Sequence, residues 1–237
     1  MAHCFNQAIL REYDINGTVS ETLSARDATA LGAAFGTMVS RVGGRSVVLG
    51  MDGKLSSPML ATSLASGLIS TGMTVLRIEP GPTPMVYFAD RHLGSDAAIT
   101  VTGSNLPHES NGFKMVIGGN ALYGNDIQEL GLIARHGAFA TGSGKLVDCQ
   151  VAPAYLKRLL ADVDMVRPLN VVWDIGHGAT GEILSELCAQ LPRSTHLTKY
   201  KGRRSPPRSP RRPHGAGHAC PAPTDSHHTS LRSGHCF

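Results

Sequence analysis

Strand-like and helix-like segments alternate in the N-terminal half of the chain, and this alternation constrains the fold more than any other feature. Three apolar runs of strand length occur at Ser46–Met51, Thr74–Ile78 and Ala97–Val101, separated by two segments of helical length. Each of these segments opens with a capping residue followed by proline, at Ser57-Pro58 and at Thr83-Pro84, which predicts a helix start. Strands that alternate with helices of this length form a mixed or parallel sheet covered by helices, so we predict an α/β fold.

Further elements are predicted on both sides of this central region. Ser24 and Asp27 form a capping-box pattern, with Asp in place of the usual Glu, and apolar residues follow at helical spacing as far as Met38. Residues 137–144 are rich in Gly, Ala, Ser and Thr and are predicted to form a linker. The other predicted elements are an extended segment at 11–19, strands at 113–117 and 169–173, and helices at 126–135, 152–160 and 182–190.

These predictions divide the chain into three parts. Residues 1–136 form an α/β domain, residues 137–198 hold the linker and the truncated start of a second α/β unit, and residues 199–237 form a tail. From residue 201 onward there are six Pro, six Arg and five His, and the large apolar side chains are Leu231 and Phe237. Such a segment buries too little apolar surface to offset the entropy of ordering it, so the tail is predicted to be disordered.

The positive charge of the chain is concentrated in this tail. The formal net charge is +4, but residues from 201 onward carry seven basic side chains and one acidic one, a net +6, which leaves −2 for residues 1–200. A mildly acidic body argues against nucleic-acid binding by the folded part. Five scattered cysteines without a C-x-x-C spacing, and the lack of a secretory signal or a membrane-spanning run, predict a cytoplasmic protein.

The loop after the third predicted strand carries a candidate nucleophile. Ser104 lies where the chain leaves that strand, and Lys114 lies where the chain re-enters regular structure. Ligands of α/β sheets bind beyond the carboxyl ends of the strands, and a hydroxyl presented there beside a lysine suits phosphoryl transfer. A plain polar hairpin loop explains the same residues, because loops favour them anyway. A second Gly-rich stretch, residues 174–181, is consistent with anion binding at the N-terminus of the following helix and also with a simple tight turn.

Short motifs occur in a fixed order over about residues 8–197. They read Arg-Glu-Tyr-Asp-Ile-Asn-Gly (11–17), Gly-Met-Asp-Gly-Lys-Leu-Ser-Ser-Pro (50–58), Thr-Gly-Ser (102–104), Asn-Gly-Phe-Lys-Met (111–115) and Asp-Ile-Gly-His-Gly-Ala-Thr-Gly (174–181). Together they resemble the phosphohexomutase family, specifically its bacterial phosphomannomutase/phosphoglucomutase branch. The Asn-Gly-Phe-Lys form is closer to the mannose/glucose members than to the glucosamine members.

The resemblance implies a phosphomannomutase that interconverts mannose 6-phosphate and mannose 1-phosphate for polysaccharide precursors. Ser104 matches the phosphoserine that gives its phosphoryl group to the sugar, forms a bisphosphosugar and is re-phosphorylated from the other end. Lys114 matches the lysine that neutralises charge or assists proton transfer, and Tyr13 matches a residue of the phosphate-binding first motif. The family also uses one Mg²⁺, held in part by a phosphate oxygen on the serine that Ser104 matches, and a glucose or mannose bisphosphate activator.

The sequence departs from the family pattern at the site itself. Asn16 replaces the arginine of the first motif, and His177 replaces the asparagine of the Gly-rich turn. Asn105 and Leu106 stand where a Ser-His-Asn-Pro continuation is usual, so the histidine beside the nucleophile is missing, although His108 lies nearby. Family members have four domains, and their second domain holds Mg²⁺ with an Asp-Gly-Asp-x-Asp-Arg loop. No such run occurs in this sequence, so the aspartates that would complete the metal site are absent.

The similarity stops just before that loop is expected and the basic tail begins. An Arg/Pro/His/Cys-rich composition is typical of GC-rich coding sequence translated in a shifted frame, so we expect the tail to be a frameshift product. Translation of the nucleotide sequence in the other two frames tests this, because an Asp-Gly-Asp-like loop should then appear downstream. We also expect the chain as written not to turn over mannose 1-phosphate.

Other functions remain open from the sequence. The chain resembles a phosphoglucomutase as well, and it suits a non-catalytic phosphosugar-binding fragment. In the tail, residues 203–212 resemble Arg/Ser-type RNA-binding segments, and Pro207 and Pro210 have the spacing of an SH3 ligand. Zinc is a further alternative, although its candidate ligands lack regular spacing. These ligands are His214, His218, Cys220, His227, His228, His235 and Cys236.

Overall fold

The predicted alternation of strands and helices is present in the structure. The computed structural model describes residues 1–164, 171–175, 178–191 and 195–198. The strands are β1 (Ile15–Thr18), β2 (Ser46–Met51), β3 (Thr74–Ile78), β4 (Ala97–Val101), β5 (Ser110–Ile117), β6 (Asn120–Ala121), β7 (Lys145–Cys149), β8 (Val171–Asp174) and β9 (Thr195–Thr198). The helices are α1 (Ala25–Arg41), α2 (Ser57–Ser70), α3 (Thr83–Leu93), α4 (Asn125–His136), α5 (Ala152–Ala161) and α6 (Gly181–Gln190).

The main sheet is mixed, which confirms the predicted fold class. Its strand order is β1-β5-β4-β2-β3-β7, with β6 beside β5. Strand β2 lies parallel to both β3 and β4, whereas β5 runs antiparallel to β4 and β1. Met51 pairs with Val101, so the turn after β2 and the loop after β4 leave the sheet side by side. This juxtaposition places the candidate site.

The two faces of the sheet are covered by different helices. Val47 and Leu49 of β2 pack into one core with Phe35 of α1, whereas Val48 packs into a second core with Met85 of α3. The alternation follows from the two-residue period of a strand. The first core also takes in α2 and α4, and the second takes in α5 and α6. Because both faces are buried, the central strands are continuous apolar runs rather than alternating ones.

The helix starts at the two Ser/Thr-Pro sequences differ by one residue from the prediction. The N-cap of α2 is Ser56 rather than Ser57, and the N-cap of α3 is Pro82 rather than Thr83. The hydroxyl of Ser57 is already used, because it donates a hydrogen bond of 2.5 Å to Asp52 Oδ1 and accepts one of 2.9 Å from Asn111 Nδ2. Each proline therefore lies one residue further into the first turn, where its missing N–H is still harmless. The capping box of Ser24 and Asp27 is confirmed.

The sheet extends beyond the predicted first domain. Strand β7 follows the predicted linker and pairs in parallel with β3, from Lys145 opposite Thr74 to Cys149 opposite Ile78. It was not predicted, because its side chains are largely exposed and carry no apolar pattern. Strand β9, which pairs in parallel with β8, was not predicted either. The predicted disordered tail, including its RNA-, SH3- and zinc-binding candidates, lies outside the described residues, as does His177.

Helices α1 and α2 approach each other closely because glycines face the partner backbone. A Cβ atom on Gly32 would lie 2.2 Å from the carbonyl oxygen of Leu64, and a Cβ atom on Gly67 would lie 2.0 Å from that of Thr29. Both distances are far inside van der Waals contact with backbone, which has little freedom to move. The two glycines therefore fix the separation of the helices. In the part of the chain that the structure describes, no helix combines the length and apolarity needed to cross a bilayer.

We expect Gly67→Ala to destabilise the protein by about 2–3 kcal/mol, because overpacking of a close helix contact outweighs the better helix propensity of alanine. Urea unfolding of both proteins measures the difference. Gly53→Ala is the matched control, since a Cβ atom there meets nothing within 4 Å. A loss in Gly67→Ala no larger than that in the control would contradict a close contact between α1 and α2.

Candidate active site

The loop between β4 and β5 forms one wall of a shallow pocket at the carboxyl end of β4. Its volume is about 320 Å³. Ser104 is exposed on this loop, and Lys114 reaches the same pocket from β5. The pocket is lined by Asp14, Asn16, Thr102, Gly103, Ser104, Asn105, Leu106 and Lys114. The structure therefore brings together the two side chains that the sequence singles out.

Ser104 adopts an unusual backbone conformation. Its φ is 43°, in the left-handed region that residues other than glycine seldom occupy. Local hydrogen bonds hold it there: its N–H donates to Thr102 Oγ1 at 3.0 Å, and the N–H of Leu106 donates to the carbonyl oxygen of Gly103 at 2.8 Å. Such a conformation persists only where its surroundings impose it, and it is common at functional sites. The turn lifts the serine out of the strand direction and exposes it.

Lys114 is placed by the register of three strands. It lies opposite Thr100 on β4, and the neighbouring residue Phe113 lies opposite Ile15 on β1. Its Nζ atom is 3.5 Å from Asp14 Oδ2, just before β1. Both side chains are about one-third exposed or less. The ammonium group is thus held at the pocket by a carboxylate, yet stays accessible to an anionic ligand.

Asn16 interacts with the same carboxylate. Its Nδ2 donates a hydrogen bond of 2.6 Å to Asp14 Oδ1, and the asparagine is only 6% exposed. Asp14 is therefore oriented by Lys114 on one oxygen and by Asn16 on the other. A neutral amide takes the place of the arginine in the motif that the sequence resembles, so one positive charge fewer faces the pocket.

Two other predicted residues lie outside the pocket wall. Tyr13 precedes Asp14 in the chain, but its side chain is 73% exposed and is not part of the lining. His108 is not part of the lining either, and its Nδ1 lies 3.0 Å from the carboxylate of Glu109. The geometry gives His108 no contact through which it would replace the missing histidine beside Ser104. The role of Tyr13 stays a prediction.

The described residues do not fit a complete Mg²⁺ site. Magnesium takes six oxygen ligands, usually one or two carboxylates together with phosphate oxygens and water. The pocket offers Asp14 and the position of a phosphate on Ser104, and Asp14 is already bound by Lys114 and Asn16. Within the described ranges there is no group of three or more His, Cys, Asp or Glu side chains suited to a metal ion.

The turn after β2 makes hydrogen bonds to the loop that carries Ser104, a role that the sequence did not reveal. Asp52 Oδ2 accepts hydrogen bonds from the N–H of Gly103 at 3.0 Å and from the hydroxyl of Thr102 at 3.2 Å. Asp52 Oδ1 accepts from Ser57, whose Oγ in turn accepts from Asn111 Nδ2 at 2.9 Å. Ser57 and Asn111 are fully buried. The only signal was the resemblance of residues 50–58 to a family turn, which carries no contact information.

Comparison with known proteins gives a consistent result. The family described as "Phosphoglucomutase/phosphomannomutase, alpha/beta/alpha domain I" matches residues 7–137. The chain is 36% identical over 184 residues to a phosphomannomutase/phosphoglucomutase of Pseudomonas aeruginosa, covering 78% of this chain and 40% of that protein. It is 35% identical over 181 residues to a phosphoglucomutase of Neisseria meningitidis, covering 76% and 39%.

A crystal structure of a phosphoglucomutase/phosphomannomutase family protein from Burkholderia thailandensis superposes with a TM-score of 0.78 at 39% identity. It covers 82% of this chain and 44% of that one. The chain spans about two fifths of the length of the curated relatives named above. The matching family spans β1 to α4, which includes Ser104, Lys114 and the turn at Asp52. The chain belongs to the phosphoglucomutase/phosphomannomutase family and carries its α/β/α domain I.

Proposed function

We propose that this chain is the phosphate-carrying part of a cytoplasmic phosphohexomutase, with Ser104 as the residue that carries the phosphoryl group. The proposed reaction interconverts mannose 6-phosphate and mannose 1-phosphate through a bisphosphosugar, for polysaccharide precursors. The observation that supports it most directly is Ser104 itself, exposed in a left-handed turn on the wall of a pocket that also holds Lys114. Membership of the family supports a mutase in general and leaves the choice of sugar to experiment.

The proposed transfer needs little covalent chemistry from the protein beyond the serine. When phosphoserine donates, a sugar hydroxyl oxygen bonds to phosphorus, the bond from Ser104 Oγ to phosphorus breaks, and the hydroxyl proton passes to Ser104 Oγ. Phosphoserine adds a charge of about −2, so the pocket must supply positive charge. The ammonium group of Lys114 supplies part of it, and Asp14 holds that group in place. Ser104 is exposed on the pocket wall, so a sugar phosphate reaches it from solvent.

Two other functions rest on specific observations. A phosphoglucomutase is supported by the name of the Neisseria meningitidis relative, which is nearly as similar to this chain as the relative from Pseudomonas aeruginosa. A non-catalytic phosphosugar-binding fragment is supported by Asn16 and by the small number of oxygen ligands at the pocket. The three functions differ in whether phosphate reaches Ser104 and from which sugar.

Phosphoryl transfer from hexose bisphosphates tests the proposal. The purified chain is incubated with mannose 1,6-bisphosphate or with glucose 1,6-bisphosphate, each with and without Mg²⁺, and intact-mass and peptide spectra locate any phosphoryl group. We expect one group on Ser104, taken up faster from the mannose compound. Faster uptake from the glucose compound favours a phosphoglucomutase. Calorimetric binding of hexose phosphate without uptake favours the binding fragment. The absence of both uptake and binding contradicts the proposal.

A further inference from the structure

The side chain of Lys54 crosses from the turn after β2 to the loop that carries Ser104. Its Nζ atom donates hydrogen bonds to three backbone carbonyl oxygens, two in that loop and one at the first residue of β5. The distances are 3.2 Å to Leu106, 2.8 Å to Pro107 and 2.7 Å to Ser110. An ammonium group bound to carbonyl oxygens makes hydrogen bonds of the stronger, charge-assisted kind. The three acceptors lie on the segment that returns from Ser104 to β5, so the Lys54 ammonium group anchors the half of the loop that follows Ser104.

Gly103 leaves the space through which this side chain passes. A Cβ atom on Gly103 would lie 2.1 Å from Lys54 Nζ, 2.4 Å from its Cε and 2.7 Å from its Cδ. Gly103 is not among the glycines with positive φ, so its backbone conformation suits any residue. A Cβ atom next to Ser104 would therefore displace the end of the Lys54 side chain. Lys54 and Gly103 form one structural unit, which we call the lysine slot.

The lysine slot works together with Asp52 on the opposite half of the loop. Asp52 accepts hydrogen bonds from the N–H of Gly103 and from Thr102, before Ser104, whereas Lys54 donates to carbonyl oxygens after it. A carboxylate therefore binds the donors of the loop and an ammonium group binds its acceptors. Ser104, with its left-handed φ of 43°, lies between the two anchored halves.

We propose that Lys54, lying in the slot left by Gly103, is a positioning residue that holds the Ser104 loop in the conformation required for phosphoryl transfer. This rests on the function proposed above for Ser104. Lys54 does not touch the phosphoryl group in this role. It acts through the backbone of the loop, and a charged side chain long enough to reach the three carbonyl oxygens is required.

Amide hydrogen exchange of peptides covering residues 102–110 tests the positioning without any activity. Lys54→Met keeps an unbranched side chain that is one atom shorter and removes the ammonium group, and we expect it to raise exchange in this segment at least about tenfold, because charge-assisted hydrogen bonds are lost. Lys54→Arg should restore slow exchange. Lys145→Met, at an exposed lysine on the far edge strand β7, is the control and should leave exchange unchanged.

Gly103→Ala tests the slot. The new methyl group should displace the ammonium group and raise exchange as Lys54→Met does. In the Lys54→Met background the same change should add less than about twofold, because the two substitutions remove one shared contact. Unchanged exchange in Lys54→Met, or full additivity of the two substitutions, would overturn the proposal.

The rate of Ser104 phosphorylation from a hexose bisphosphate links the slot to chemistry. We expect this rate to fall at least about tenfold in Lys54→Met and in Gly103→Ala, since a distortion of about 1 Å at a reacting group costs up to 10²-fold. In Lys54→Arg the rate should stay within about threefold of that of the original protein. Faster amide exchange at residues 102–110 with an unchanged rate of Ser104 phosphorylation would show that Lys54 is merely structural and overturn its positioning role. If the unsubstituted protein takes up no phosphate, the function proposed for Ser104 fails, and the exchange measurements still decide whether Lys54 holds the loop.

Discussion

Replacement of Ser104 by alanine is expected to abolish phosphoryl uptake from a hexose bisphosphate, with a loss of at least about 10³-fold, because the reaction then lacks its nucleophile. The other hydroxyl in the pocket lining, that of Thr102, does not replace it. Thr102 Oγ1 accepts the N–H of Ser104 and donates to Asp52 Oδ2, and the residue is 8% exposed. Intact-mass spectrometry after incubation with the bisphosphate measures the loss.

Ser104→Gly separates the effect of losing the hydroxyl from the effect of a changed backbone conformation. The left-handed conformation costs alanine about 1–2 kcal/mol and costs glycine nothing. We therefore expect both variants to lose phosphate uptake, and the glycine variant to be at least as resistant to urea as the original protein. Phosphate uptake that persists in both variants would place the nucleophile elsewhere and contradict the assignment of Ser104.

Much of the fold could be predicted because its central strands are buried on both faces. Such strands appear in the sequence as short apolar runs, and the helices between them begin at Ser-Pro and Thr-Pro sequences. Strand β7 was missed because it lies at the sheet edge with largely exposed side chains, so its pairing with β3 depends on tertiary contacts rather than on its own pattern. The helix start at Ser57 was displaced for a similar reason, since hydrogen bonds with Asp52 and Asn111 occupy its hydroxyl.

The candidate site was only partly predictable. Ser104 lies in the loop after β4 and Lys114 on β5, which pairs antiparallel with β4, so a local motif was enough to associate them. Asp52 and Lys54 are about fifty residues away from the loop they hold. They reach it because β2 and β4 are neighbours in the sheet and end at the same level, with Met51 opposite Val101. Strand order is a property of the whole fold, and the alternation of strands and helices does not determine it.

We expect Asp52→Ala to be among the most destabilising single substitutions at the site, with a loss of about 2–4 kcal/mol in the free energy of unfolding, because it leaves several donors without an acceptor. The carboxylate accepts from the backbone N–H groups of Lys54 and Gly103 and from the hydroxyls of Ser57 and Thr102. Ser57 is fully buried, so no solvent replaces the lost acceptor there. Urea unfolding measures the loss, and hydrogen exchange at residues 102–110 should rise with it.

Two further substitutions test whether the hydrogen bonds to Asp52 account for this loss of stability. Asp52→Asn keeps one oxygen acceptor, which suits Ser57 and the N–H of Lys54, and we expect it to recover about half of the lost stability, since the donors of the Ser104 loop still lack an acceptor. Asp162→Ala removes an exposed carboxylate that pairs with Arg158 and should cost no more than about 1 kcal/mol. If Asp52→Ala costs as little as Asp162→Ala, the hydrogen bonds to Asp52 do not hold the loop. The left-handed conformation of Ser104 must then be maintained by Lys54 and by the loop itself.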